Sequence, residues 1–240
     1  MTLDDILASL FGSDHGILRD AEMLTGRARL ADGTALHVMG FSGGGELGVD
    51  HAIRLAAHVL AIARSEDGEP ILFLVDSSSQ RMSRRDELLG LSEYLAHLAK
   101  ALLLAEQAGH RTIGLLYGGS AAGAFIATAL ACGTLVALPG AHPEVMDLPS
   151  MARITKLSLS TLQQKAETTP VFAPGLDNLA QTGAIAEVWD SERSLGAQLT
   201  ALLAAPVHGD SRAQLGKERN GRPKAADIAA ELLSLALAHG

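Results

Sequence analysis

Aromatic side chains are scarce in this sequence: Phe, Trp and Tyr together make up 3% of it. A core without large rings has to be assembled from Ala-, Leu- and Gly-sized pieces, and elements packed on such pieces approach one another closely. Cysteine is scarcer still. Cys132 is the only one, which excludes a disulfide framework and a cysteine-rich zinc site and makes a reducing, cytoplasmic setting the expectation. No run is rich in Lys and Arg, and the formal net charge is −8, so the electrostatic footprint of a nucleic-acid binder is missing. No apolar stretch approaches the roughly 20 residues that a membrane-spanning helix needs. The opening residues, "MTLDDILASLFGSD", carry acids and lack the basic flank of a secretory leader. A soluble intracellular protein is expected, and 240 residues with 48% hydrophobic content are ample for a folded core.

What is present is a pattern of apolar runs. Ile71 to Val75 and Ile113 to Tyr117 are unbroken and of strand length, as expected of strands buried on both faces. The first ends at Asp76 and three serines, and "TLVALPG" supplies a third strand. Between the first two, Ser83 with Asp86 resembles a capping box, opening a long helix through Leu88, Leu91, Leu95, Leu98 and Leu102 that closes at Gly109. Upstream, residues 3–11 read as a short amphipathic helix and "RARLADGTALHVMGF" as a hairpin turning at Asp32-Gly33. "FSGGGELG" reads as a glycine-rich turn, with Asp50 capping the helix "HAIRLAAHVLAIARS". Downstream, short helices are expected over 150–182 with a surface segment around "TTPVFAPG". A short strand follows in "AIAEVW", then a helix near 191–204, a mobile loop over 205–223 and a terminal helix over 224–239. The order strand, helix, strand, helix, strand predicts an α/β architecture with a largely parallel sheet, taken as one domain over residues 1–240.

The stretch "YGGSAAGAF" asks why a buried strand should stop in glycines where a helix begins. One answer is tight helix–sheet packing. The other is access to bare N–H groups, which a helix start leaves unpaired and partly positive. Neighbouring parallel strands open a crevice at their carboxyl ends, so "DSSSQ" should lie beside "GGSAA". Amides from the two segments can then converge on one oxygen as an oxyanion hole. The candidate donors are the backbone N–H groups of Ser78, Ser79, Gly119, Ser120 and Ala121. Gly118 and Ala122 supply clearance, and with Gln80 and Arg81 they are the candidate substrate-binding residues. No metal-ligand cluster is evident, and neither a phosphate-binding loop nor a dinucleotide fingerprint fits these glycines.

These segments resemble the second half of the carboxyltransferase component of acyl-CoA carboxylases and related decarboxylases, members of the crotonase/Clp superfamily. The resemblance rests on "SGGGELG", "FLVDSSSQ", the helix after Ser83, "YGGSAAGAF" and "LPGAHPEVM". Within that family, "DSSSQ" in place of Asp-x-Pro-Gly, together with the chain length, is most similar to the γ subunits of biotin-independent malonate decarboxylases. The resemblance implies a crotonase-like spiral of stacked ββα turns and a heterodimer with a β subunit of similar fold. It implies further subunits, and a malonyl thioester substrate on an acyl carrier protein whose prosthetic group is related to dephospho-coenzyme A. Neither biotin nor a permanently bound cofactor is implied. The reaction would release carbon dioxide and leave an acetyl thioester.

Three rival readings stand beside it. Clp-type peptide hydrolysis needs a Ser two places before a Gly, where Ala121 stands, and a His where Asp147 stands. A hydratase or isomerase would use the same hole with Glu144 and Asp147 as acids. A non-catalytic half that stabilises an active partner is the third. His142 is a candidate proton carrier, and Arg81, Arg84 and Arg85 could attract a carboxylate or an acidic helix.

Overall fold

The unbroken apolar runs lie at the centre of a sheet in the computed structural model, which describes residues 1–170, 173–206 and 209–239, with only the backbone of residue 239. The order is α1 (Leu3–Phe11), β1 (Gly16–Asp20), β2 (Met23–Arg29), β3 (Ala35–Leu47), α2 (Val49–Ala63) and β4 (Ile71–Gln80). Then come α3 (Arg84–Leu89), α4 (Leu91–Gln107), β5 (Thr112–Leu116), β6 (Gly119–Ala121), α5 (Ala122–Ala127), β7 (Thr134–Ala137) and β8 (His142–Glu144). The chain closes with α6 (Leu148–Thr155), α7 (Leu159–Thr168), α8 (Leu176–Gln181), β9 (Glu187–Val188), α9 (Leu195–Ala204), α10 (Arg212–Glu218) and α11 (Ala225–His239). Val171 and Phe172 of the expected surface segment, and Val207 and His208 of the expected loop, lie outside the described residues.

The described residues fall into two compact units, 1–145 with 188–206, and 146–187 with 209–239. The first holds a sheet ordered β1-β2-β3-β4-β5-β7-β9, antiparallel among β1, β2 and β3 and parallel from β3 through β7. Successive residues of β4 face opposite sides. Leu72 and Leu74 join Val38, Ile113, Leu115 and Val136 in a core shared with α1 and α9. Ile71, Phe73 and Val75, also buried, face the other way, the side on which α2 and α4 pack together. Both faces are covered, which is why these strands read as continuous apolar runs. Trp189 and Cys132 are buried, as their apolar character leads one to expect.

Several expectations change. The glycine-rich stretch at 41–48 is no turn: β3 runs through it to Leu47, bulging twice between Phe41 and Leu47, with Gly43 and Gly44 at φ 82° and 66°. A bulge bends a strand without ending it. β4 continues through the serines because the extended β3 supplies it with a partner, pairing Gly45 with Ser77 and Leu47 with Gln80. The long helix after Ser83 breaks at Gly90, whose left-handed φ of 83° ends α3 and begins α4. α2 starts at Val49, and Asp50 pairs with Arg85 instead of capping. Strands β1, β6 and β8 were not foreseen.

In the second unit, α10 occupies part of the segment expected as a loop. It is fixed there by Arg219, which donates to the carbonyls of Ala180, Ile185 and Ala186 at 2.7–2.8 Å. A break-rich composition gave no hint of it, because these acceptors come from distant sequence.

The start of α2 depends on a buried carboxylate. Asp86, 1% exposed, accepts the Val49 amide at 2.8 Å and the Ser83 hydroxyl. The Ser83 hydroxyl first, then the Val49 amide, hold its carboxyl below the ordinary range. Asp86→Ala is expected to cost about 2–3 kcal/mol, since hydrogen bonds to a charged group are lost and buried donors are orphaned. Because the folded state lowers this pKa, the stabilisation is complete above the unfolded carboxylate value near pH 4 and drains away as pH falls below it. Thermal denaturation of both proteins should show the gap at pH 7 and its narrowing toward pH 3.

Candidate functional site

Beyond Val75 and Leu116 the neighbours β4 and β5 part, and β6 takes up the space beside the extended end of β4. Both segments are made of small residues, so the two backbones come very close. A Cβ on Gly119 would stand 2.8 Å from Ser77 O, a backbone atom, and one on Gly118 would displace the Asp76 side chain. Across the junction Ser77 Oγ meets Ser120 Oγ at 2.9 Å, with both residues buried. The segments "DSSSQ" and "GGSAA" therefore lie side by side, as the parallel strands lead one to expect.

Their amides are distributed differently from the expectation. The Gly119 N–H donates to Asp76 Oδ1 at 3.1 Å. β6 pairs in parallel with β8, Gly119 opposite His142, and His142 N donates to Gly118 O at 3.1 Å. Residues alternate in direction along such a ladder, so Gly118 and Ser120 face β8 while Gly119 and Ala121 turn the other way. Gly119 and Ser120, both candidate donors, are thus committed to the protein itself. Ser120 is also buried and hydrogen-bonded through its hydroxyl, which removes it as a nucleophile and as a helix cap. Ser78 and Ser79 lie in the extended end of β4, between β3 and β6, with hydroxyls donating to the carbonyls of Gly45 and Gln80.

The amides left at the crevice belong to the turn from β6 into α5. Ala121 faces away from the ladder. Ala122 begins α5 at φ 50°, a left-handed conformation that costs an L residue about 1–2 kcal/mol. As the first residue of the helix it has no acceptor within α5. The next amide, Gly123, was missed from sequence, and it donates to Gln80 Oε1 at 2.8 Å. Gln80, read as a substrate-binding residue, thus caps this turn, with its carboxamide oxygen where an acyl oxygen would also be held. Among the described residues Ala21, Lys156 and Asn220 share a positive φ, so the strain at Ala122 bears on function only through its place beside the end of β4. No pattern in "SAAGAF" signals that strain, because Ala is an ordinary residue everywhere else.

On the side of the sheet where α1 lies, a cavity of about 700 Å³ opens at these same strand ends, lined among others by Glu22, Ser42, Asp76, Tyr117, Gly118 and His142. The Asp76 carboxylate accepts the Gly43 amide at 3.2 Å as well as that of Gly119. Burial, and secondarily the charge of Asp76, raise the pKa of the Tyr117 phenol well above its ordinary value, so it stays protonated at neutral pH. The ring of His142 lies against Gly119, where a Cβ would come within 2.8 Å of Nε2.

The remaining candidates are placed elsewhere. Arg81 turns back along β3, its guanidinium near Glu46 O at 3.5 Å and against Gly48. Arg85 pairs with Asp50 at 2.9 Å. Asp147 caps α6 by accepting the Ser150 amide at 2.7 Å, and that contact lowers its pKa, so it is a structural carboxylate and not an acid for proton transfer. Glu144 lies on β8 opposite Ala121. At the far ends of the strands, His37, Asp67 and Glu69 come together in a group whose ligand atoms are close enough for a metal ion. Arg27 already ion-pairs with both carboxylates, supplying the positive charge that a cation would bring.

Comparison with known proteins places this geometry in a family. The family model of the malonate decarboxylase gamma subunit matches residues 42–236. A malonyl-S-ACP:biotin-protein carboxyltransferase of Malonomonas rubra is 26% identical over 198 residues, covering 74% of this chain and 68% of that protein. The solved heterodimer of a Pseudomonas malonate decarboxylase contains a chain 28% identical, with a TM-score of 0.71 over 97% of this chain and 98% of that one. Transcarboxylase 12S, 17% identical with a TM-score of 0.67 over 86% of this chain and 42% of that one, shares the fold. The architecture is accordingly the crotonase-like α/β spiral expected from the sequence. Among the described residues, no helix is long and apolar enough to cross a membrane.

The burial of Ser120 yields a test. Ser120→Ala is expected to lower stability by about 1–2 kcal/mol, because Ser77 Oγ loses its buried partner, while turnover stays within a few-fold. A nucleophile lost in this way would cost about 10⁴-fold or more, so a steady-state assay separates the two roles.

Proposed function

The chain belongs to the malonate decarboxylase gamma subunit family, and from that premise we propose that it forms one half of a heterodimeric enzyme with a β subunit of similar fold. The substrate is a malonyl thioester carried on an acyl carrier protein through a prosthetic group related to dephospho-coenzyme A. No biotin is used, further subunits complete the complex, and the setting is cytoplasmic. In the reaction the bond between the carboxyl carbon and Cα breaks. Its electron pair moves into the thioester as an enolate, carbon dioxide leaves, and a proton added at Cα gives the acetyl thioester.

The observation that carries this reading is the strained turn Ala121–Gly123, set beside the end of β4. Charge builds on the thioester oxygen only as the carboxyl group departs. Fixed amide donors favour that state over the ground state, and each is worth roughly 3–4 kcal/mol of barrier. Ala121 and Ala122 are the donors of this reading, and Gly123 joins them when Gln80 yields its place. Ser78 and Ser79 lie in the facing end of β4, where their backbone can bound the thioester. The site also needs no nucleophile, in accord with the buried, hydrogen-bonded Ser120. A hydratase or isomerase is less well supported, because Asp147 serves as a helix cap.

The Malonomonas relative supports a second outcome, in which the carboxyl group passes to a biotin protein. Both outcomes share the enolate and differ in what receives the carboxyl group.

The chain should be purified with its β subunit and given malonyl-S-ACP. The expected result is carbon dioxide and acetyl-S-ACP in equal amounts, without added biotin. A complex that forms yet releases no carbon dioxide above the uncatalysed rate rules out decarboxylation. Label from carboxyl-labelled malonyl appearing on an added biotin protein would establish the second outcome instead.

A further inference from the structure

The hydroxyl of Tyr117 is buried and has no hydrogen-bond partner. Buried polar atoms in native proteins are almost always paired, so an orphan needs an explanation. The Ser42 hydroxyl on the same cavity wall comes close enough to oppose slightly the rise in the phenol's pKa but falls short of a hydrogen bond to it. It donates instead to Glu22 O at 3.2 Å. Asp76 is occupied on both oxygens by the amides of Gly43 and Gly119. The Tyr117 ring packs against the core, while neither the core nor the amide turn at Ala121–Gly123 makes use of its hydroxyl. It lines the cavity of about 700 Å³, which has room for an extended chain of small-molecule cross-section.

We propose that Tyr117 is a substrate-contact residue, whose hydroxyl donates a hydrogen bond to a neutral carbonyl of the amide-bearing arm that carries the malonyl thioester, with the cavity holding that arm. The inference rests on the proposed function for the identity of the arm. The chemistry of the wall selects it. The phenol is kept neutral by burial and by the adjacent carboxylate, so it is a donor that carries no charge. Glu22 and Asp76 present negative charge to the same space. Arg19, the cation on that wall, lies within 3.4 Å of Asp4. A free dicarboxylate is disfavoured in such surroundings, whereas an amide carbonyl satisfies the hydroxyl without bringing charge. Apolar side chains at the start of α1, Met1 and Leu3, line the same cavity and suit the methylene groups between amides.

The orphaned hydroxyl makes the test clean. Since it holds nothing in the protein, Tyr117→Phe should fold with a melting temperature equal to or above that of the wild type. With the β-subunit complex and S-acetylpantetheine as the probe, the variant should bind about three- to tenfold more weakly, the range for one neutral hydrogen bond. KM for malonyl-S-pantetheine should rise by a similar factor with kcat nearly unchanged. A readout independent of activity is available, because this chain contains only two tyrosines. With 3-fluorotyrosine in this chain alone, the ¹⁹F signal absent from Tyr117→Phe should move on adding S-acetylpantetheine and stay in place with malonate. An unmoved signal, or an unchanged dissociation constant in a variant that folds, overturns the inference. A response to malonate in place of the thioester arm overturns it too. A wild-type complex that binds S-acetylpantetheine through Tyr117 but releases no carbon dioxide would count against the proposed function alone.

Discussion

A single carboxylate ties together three strand ends. Asp76, the first residue of β4 beyond its apolar run, accepts one amide from the bulge of β3 at Gly43 and one from the start of β6 at Gly119. Hydrogen bonds to a charged group are worth about 1.5–3 kcal/mol each. With them in place the bulged strand lies over the end of β4 and β6 crosses beside it. The turn into α5 is then fixed in a conformation that Ala122 would not adopt unaided. Strain of this size persists only where surrounding contacts outweigh it. Here those contacts are the carboxylate clamp, the β6–β8 ladder and the Gln80 cap on Gly123.

The same clamp divides the strand ends into two working faces. Toward α5 lies the turn Ala121–Gly123, whose amides are the proposed donors to an oxygen that gains negative charge. Toward α1 lies a cavity whose wall carries Asp76 and Glu22, where negative charge is disfavoured and a neutral donor is kept in reserve. A substrate with an anionic end and a neutral arm suits such a division. The scarcity of aromatic side chains belongs to the same design. A Cβ on Gly119 would press on the Ser77 carbonyl, and small residues on both segments let a carboxylate, two amides and a hydroxyl pair occupy a few ångströms of backbone.

The central strands, the α/β class and the side-by-side placement of "DSSSQ" and "GGSAA" were legible in the sequence, because each is set by local apolar patterning and by the parallel order of neighbouring strands. The resemblance to carboxyltransferases drew on the same segments, and the family match agrees with it. The finer site was much less legible. Gly119 and Ser120 look like ideal donors in a string of small residues, yet one is bound by Asp76 and the other is directed into a ladder with β8. Gln80 read as a residue for substrate, and it caps a helix 43 positions away. Gly90 offered a visible warning that the helix after Ser83 would break, since a left-handed residue ends a helix wherever it falls.

What the chain decided by itself is whatever depends on neighbours in sequence: which runs are strands, where small residues allow close approach, and which chemistries lack their residues. Tertiary structure alone decided which polar groups are spent and which stay available. A hydrogen bond is settled between particular atoms at about 3 Å. For Asp76 with Gly119, Ser77 with Ser120 and the unpaired phenol of Tyr117, those atoms meet, or fail to meet, only after the strands have assembled.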